Sequence, residues 1–194
     1  MPKYTYRKLH GWTGFAVLII TIVLAVAQQQ GWLNQAGQAA MSNQPGLYSV
    51  DHFVDGDTIA INMNGKVEKV RFIGVDTPET HKPNTPVQCY GPAAAAYTKT
   101  LIGSNKVRLG SDSLSTDRDR YDRLLRYVYL PDGRLVNEEL IKNGYGFYYP
   151  YFPFTKSDQF SADQTAARAA NKGLWGNCSP TAKDQGGWES NVQS

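Results

Sequence analysis

The chain has 194 residues, 41% of them apolar and 19% charged, which fits one folded domain with terminal additions and excludes wholesale disorder. Two cysteines and three scattered histidines, His10, His52 and His81, exclude a disulfide-dense scaffold and a four-cysteine or histidine-rich zinc site. The net charge of +3 resides in Lys3, Arg7 and Lys8, since the remainder carries 17 residues of each sign; an anionic ligand must therefore be held by a local cluster.

The first element is a basic start followed by an unbroken apolar run from Trp12 to Ala27. Sixteen helical residues reach only about 24 Å, short of a hydrocarbon core of roughly 30 Å. Ala25-Val26-Ala27 closes the run with small residues at both cleavage-site positions, as in a secretory signal. Residues 1–27 are thus expected to be a signal peptide, or a membrane anchor if uncleaved, with residues 12–27 as the only membrane contact. Both put the rest of the chain outside the cytoplasm, secreted or held at the cytoplasmic membrane. Residues 28–45, Gln/Ala/Gly-rich and uncharged, read as a linker. The folded domain is expected over 46–178, with 179–194 as a disordered tail.

Inside the domain, Leu47–Val54 and Thr58–Met63 read as strands, the second alternating Ile59, Ile61 and Met63 against Thr58, Ala60 and Asn62. Asn64-Gly65 tolerates the positive φ of a type I′ hairpin turn, and Val67–Val75 returns as a third strand. Gly91–Ile102 predicts a helix, with Pro92 in its first turn and Gly103 past its end. Strands follow at Lys106–Leu109 and Leu124–Leu130, then helices at about Val136–Asn143 and Asp158–Asn171. Five short strands with three helices make an α+β domain, in which a small closed barrel would leave the fewest exposed edges. Cys89 and Cys178 flank the helical parts, and in an oxidising compartment they are expected to form a disulfide. Two buried free thiols are the alternative.

Three polar clusters interrupt these elements: Asp55-Gly56-Asp57-Thr58, Asp76-Thr77-Pro78-Glu79-Thr80, and Arg118-Asp119-Arg120-Tyr121-Asp122-Arg123. Each alone reads as a turn or a solvated face. Together, carboxylates at the ends of adjacent strands can converge on a hard cation, and oxygen-only ligands suit calcium or magnesium. Arginines beside it can grip a phosphate through paired, charge-assisted hydrogen bonds. A carboxylate left over is then available as a base for water. None of these positions lies on the apolar face of an element, so substitutions there are expected to leave the fold intact.

The strings VDGDTIAI, VRFIGVDTPET and DRYDRLLRYVY, with PDGRLVNEELIKNGYG behind them, resemble the staphylococcal nuclease (thermonuclease) family. The resemblance spans about two thirds of the chain, with the motifs in the family's order. It implies a five-stranded OB-type β-barrel with three α-helices and calcium-dependent cleavage of DNA and RNA, breaking the P–O5′ bond and leaving 3′-phosphates. It further implies that Asp57 and Asp76 ligate Ca2+ by carboxylate and Thr77 by its carbonyl, and that Glu79 is the general base. Arg71 and Arg123 would hold the scissile phosphate, and Tyr121 would lie beside the nucleotide. Asp122 departs from the Gly or Asn usual there. The loop Tyr148–Thr155 is unusually aromatic, either core packing or a stacking wall for bases.

Other readings are weaker. A haloacid-dehalogenase-type phosphatase needs a parallel βαβ unit after its Asp-x-Asp strand, whereas an antiparallel hairpin follows here. An EF-hand fails because Asp117–Tyr121 lacks the third ligand and the turn glycine. A non-catalytic OB-fold module for single-stranded nucleic acid remains the main rival, though the chain keeps all five acidic and arginine positions. The domain is expected to be a monomer.

Overall fold

A computed structural model of the protein describes residues 46–80 and 86–192. The expected signal or anchor over 1–27 and the linker over 28–45 lie outside the described residues. Strand β1 (Ser49–Asp55) runs antiparallel to β2 (Thr58–Met63), and β2 to β3 (Lys66–Phe72), in register from Thr58–Arg71 to Met63–Lys66. Between β2 and β3, Asn64 and Gly65 both take positive φ, 54° and 87°, as the turn requires.

The third strand is shorter than its sequence suggests. β3 ends at Phe72, and Gly74 turns the chain at φ 75°. A Cβ on Gly74 would sit 2.5 Å from the Phe154 ring, so the turn needs glycine twice over, for conformation and for space. Beyond it β4 (Val75–Asp76) leaves the main sheet and pairs instead with β7 (Phe147–Tyr148). That diversion carries Asp76 away from the sheet and toward the turn between β1 and β2.

Helix α1 (Gly91–Ile102) buries Gly91, Ala94, Thr98 and Ile102, the spacing of one helical face. Strands β5 (Arg108–Gly110) and β6 (Leu124–Tyr129) complete a five-stranded sheet of order β1-β2-β3-β6-β5, with β3 and β6 parallel. Its two edges touch where Tyr48 and Val107 exchange backbone hydrogen bonds of 2.9 Å. Helices α2 (Val136–Lys142) and α3 (Ser157–Ala169) follow, and then a short α4 (Leu174–Asn177) that the sequence did not suggest. Ile59, Ile61, Val70, Phe72, Leu140 and Phe160 are almost wholly buried in the resulting α+β core. Among the described residues no helix is long and apolar enough to cross a membrane.

One polar residue joins the layers. Asn137, fully buried on α2, accepts from the Val128 amide (2.9 Å) and donates to the carbonyls of Ile73 (2.9 Å) and Arg126 (3.2 Å). Asn137→Ala removes the side-chain partner of the Val128 amide and the Ile73 carbonyl at roughly 1–3 kcal/mol each, while the Arg126 carbonyl keeps the Ile73 amide at 3.0 Å. The urea midpoint should fall with little change in slope.

The C-terminal segment differs from expectation. Residues 179–192 form a hairpin of β8 (Thr181–Ala182) and β9 (Trp188–Glu189) rather than a disordered tail. Trp188 packs edge-on against Trp175 (5.2 Å between ring centroids) and under the Arg168 guanidinium (4.3 Å). Composition hid this, because one tryptophan, one covalent tie and a few hydrogen bonds to distant residues do the anchoring. The tie is the expected Cys89–Cys178 disulfide, with 6.0 Å between the two Cα atoms.

Candidate active site

The three polar clusters come to one side of the domain, and Asp55 and Asp57 divide the work of the first. Asp55 Oδ1 accepts from the Gly56 amide (2.8 Å) and the Thr80 hydroxyl (2.9 Å), so it fastens the turn. Gly56 lies so close to Thr77 that a Cβ there would fall 2.7 Å from its Oγ1. Its carbonyl accepts from Thr98 Oγ1 on α1 at 2.5 Å. The close approach puts Asp57, only 3% exposed, against the start of the second cluster. Asp57 Oδ2 accepts from the Thr77 amide (2.8 Å) and hydroxyl (3.1 Å), and Oδ1 from Thr58 Oγ1 (2.9 Å).

Arg71, from the neighbouring β3, bridges two carboxylates. Its Nη1 is ion-paired with Asp57 Oδ1, and its Nη2 donates to Asp76 Oδ1 at 2.7 Å and to the Val75 carbonyl at 3.1 Å. Two carboxylates, one from the β1–β2 turn and one from β4, thus share one positive group, a donor set of hard oxygens that suits a divalent cation. No cluster of three or more His, Cys, Asp or Glu side chains occurs among the described residues. A cation here would hence draw its further ligands from backbone carbonyls such as that of Thr77, from water and from substrate. The residues fit such an ion.

Glu79 follows Thr77 by two positions and is half-buried. Its backbone is held on both sides by Gln88, whose Oε1 accepts from the Glu79 amide (2.8 Å) and whose amide donates to the Glu79 carbonyl (2.9 Å). The turn packs on the first residue of α1, where a Cβ on Gly91 would meet the Glu79 carbonyl at 2.8 Å.

The third cluster supplies the other arginine. Arg123 Nε donates to Asp119 Oδ2 at 2.7 Å, and Asp119 Oδ1 accepts from the amides of Tyr121 (2.9 Å) and Arg123 (3.0 Å). Partial burial works to raise the Asp119 pKa, but the Arg123 and Tyr121 hydrogen bonds outweigh it and leave it below the usual carboxylate range. Asp119 is a site residue that the sequence left unassigned; its spacing of four from Arg123 was the available signal. Asp122, the departure from the family pattern, has φ 61°, the left-handed backbone that Gly or Asn adopts most easily. Its carboxylate is 88% exposed and lies 3.6 Å from Arg118, while Asp119 is the acid that pairs with Arg123.

Between Arg71 and Arg123 runs a cleft of about 570 Å³, lined also by Tyr121, Tyr149 and Phe152. Tyr121 is 64% exposed, with the guanidinium carbons of Arg120 and Arg123 at 4.8 and 5.3 Å from its ring centre. The aromatic loop divides its labour. Phe154 is buried against Phe160 (5.5 Å) while Phe152 is 65% exposed at the cleft. Burial, then the Asp76 charge, raises the Tyr149 pKa, so that phenol stays a proton donor near neutrality. The loop's end is fixed by Asp112, whose Oδ2 accepts from the Thr155 amide (2.8 Å) and from Tyr127 Oη (2.7 Å).

The model of the staphylococcal nuclease homologue family matches residues 69–177. The chain belongs to the staphylococcal nuclease family. The matched segment contains Arg71, Asp76, Thr77, Glu79, Tyr121 and Arg123; Asp57 precedes it. Among the relatives, the chain is 37% identical over 171 residues to the thermonuclease of Staphylococcus hyicus, covering 85% of this chain and 97% of that protein. It is 44% identical over 145 residues to endonuclease YncB of Bacillus subtilis, 73% of this chain and 68% of that protein. To the thermonuclease of Staphylococcus intermedius it is 44% identical over 135 residues, 68% and 77% of the two chains.

Proposed function

We propose that the chain is an exported, calcium-dependent endonuclease that hydrolyses DNA and RNA at the P–O5′ bond and leaves 3′-phosphate ends. Thermonuclease and endonuclease relatives support a hydrolase acting on nucleic acid. The observation that carries the reading is the Asp57–Arg71–Asp76 bridge, beside a cleft that also presents Arg123 and exposed aromatic rings. The apolar run Trp12–Ala27 supports export. The Tyr48–Val107 pairing supports a sheet closed as an OB-type barrel; the domain is proposed to act as a monomer.

In this mechanism Asp57, Asp76 and the Thr77 carbonyl would hold calcium, which when bound would supply a Lewis acid for the phosphate and orientation for water. Arg123 would donate to the non-bridging phosphate oxygens, joined by Arg71 when calcium takes over Asp57 and Asp76, the carboxylates that Arg71 pairs with here; negative charge grows on those oxygens as the phosphorus becomes five-coordinate. Asp119 fixes Arg123 through Nε, which leaves the terminal nitrogens as the donors for phosphate. Glu79 takes a proton from water as its oxygen bonds to phosphorus. The P–O5′ bond then breaks with its electron pair on O5′, which picks up a proton. Tyr121, Tyr149 and Phe152 present faces and edges to the bases, contacts that tolerate any sequence.

End-group analysis tests this reading. Single-stranded DNA and RNA digested by the full chain in calcium should carry 5′-hydroxyl and 3′-phosphate ends. Products with 5′-phosphates would contradict it, and binding without cleavage would favour the non-catalytic OB-fold module.

A further inference from the structure

The turn that carries Glu79 is braced by a part of the chain that lies beyond the matched family segment. That segment ends at residue 177, and the brace starts at Cys178. From there the chain runs out through β8 and back through β9 to lie along Gln88 and Cys89. The Cys89 amide donates to the Asn191 carbonyl (2.7 Å), and Gln88 bridges Val192 in antiparallel fashion. Ser190 Oγ donates to the Cys89 carbonyl (2.8 Å), and Gln88 Nε2 donates to Glu189 Oε1 (3.3 Å). Gln88 is therefore gripped by the C-terminal strap on one side and grips the Glu79 backbone with both its amide and its side chain on the other.

Among the described residues the strap's other attachments include the disulfide, Trp188 seated on Trp175 and Arg168, and the Tyr151 hydroxyl donating to the Gly186 carbonyl. Its strands are two residues each and largely exposed, too short to hold by themselves. The disulfide is the covalent tie that fixes the start of the strap, Cys178, beside Cys89.

We propose that Gln88 is the positioning residue for Glu79, and that the disulfide-locked strap keeps Gln88 in place, so that turnover depends on the Cys89–Cys178 bond. This rests on the reading of Glu79 as the base. A general base must stay within hydrogen-bond reach of its water, and a displacement of about 1 Å can cost on the order of 10²-fold in rate. Reduction by a dithiol delivers two electrons and two protons, converts Cys89 and Cys178 to thiols and the reductant to its own disulfide. The strap is then tied only by its noncovalent contacts, and the Glu79 turn loosens. The consequence is a nuclease at full rate in an oxidising compartment and slowed where thiols prevail.

The test is kcat and KM on single-stranded DNA at saturating calcium, using the full chain. Gln88→Met keeps the side-chain length and removes the acceptor for the Glu79 amide. It should lower kcat roughly 10-fold while KM stays within about two-fold. Dithiothreitol-treated wild type and the Cys89→Ser/Cys178→Ser double variant should lose kcat in the same direction, at temperatures where circular dichroism shows both folded. Combined with Glu79→Gln, Gln88→Met should cause no further loss, because both act on one group. Wild-type kcat in either Gln88→Met or the folded, reduced enzyme would overturn the proposal, as would losses that multiply with that of Glu79→Gln. Near-normal kcat in Glu79→Gln alone would instead overturn the catalytic reading, and the positioning role with it.

Discussion

Asp57→Ala should abolish turnover and also destabilise the domain. The carboxylate is one of two that converge on a shared positive group, so its loss removes half of the acidic donors available to a divalent cation. On the proposed mechanism, a cation lost from here would leave the phosphate without its neutralising charge and the water without orientation. The same carboxylate accepts from Thr58 Oγ1 and from the Thr77 amide and hydroxyl, and it pairs with Arg71, whose side chain is only 15% exposed. Removing one partner of a buried ion pair costs about 3–5 kcal/mol. The expectation from sequence that site substitutions leave the fold untouched is therefore corrected for Asp57. Asp76, with a side chain 30% exposed, separates the two effects: Asp76→Ala should lose turnover at a smaller cost in stability. Cleavage rates measured beside urea unfolding check both. Wild-type turnover in a folded Asp76→Ala would remove that residue from the cation site.

Glu79→Gln should lower kcat by at least about 10²-fold and leave calcium affinity unchanged by calorimetry. The amide preserves size and hydrogen bonding but cannot accept the proton of the attacking water. The Gln88 bracket acts on the backbone of residue 79, so the substituted side chain should occupy the same place. A parallel loss of calcium affinity would assign Glu79 to the cation rather than to the water.

Much of this was legible in the sequence because the information was local. The alternation in Thr58–Met63, the Asn64-Gly65 turn and the Pro92-to-Gly103 helix each depend on a few adjacent residues, and each forms. The convergence of Asp57 and Asp76 could be anticipated because strand ends bring short polar turns together, whereas Arg71, expected on the phosphate, bridges the two carboxylates. What was hidden depends on contacts distant in sequence. Nothing in Val67–Val75 announces that Gly74 turns the chain against Phe154, 80 positions away. Gln88 looks like any polar loop residue until it is seen between Glu79 and Glu189. The tail was read as disordered from its polar composition, yet Trp188 and Cys178 give it an anchor that composition averages away.

The most direct test is the initial rate of single-stranded DNA cleavage by the full chain as free calcium is raised from a chelator-buffered zero. The rate should be negligible in chelator, rise to saturation with calcium, and return to nothing when chelator is added back. Undiminished cleavage in chelator, or a folded protein inert at every calcium concentration, would contradict the assignment of Asp57, Asp76 and Thr77 as the cation site of a nuclease.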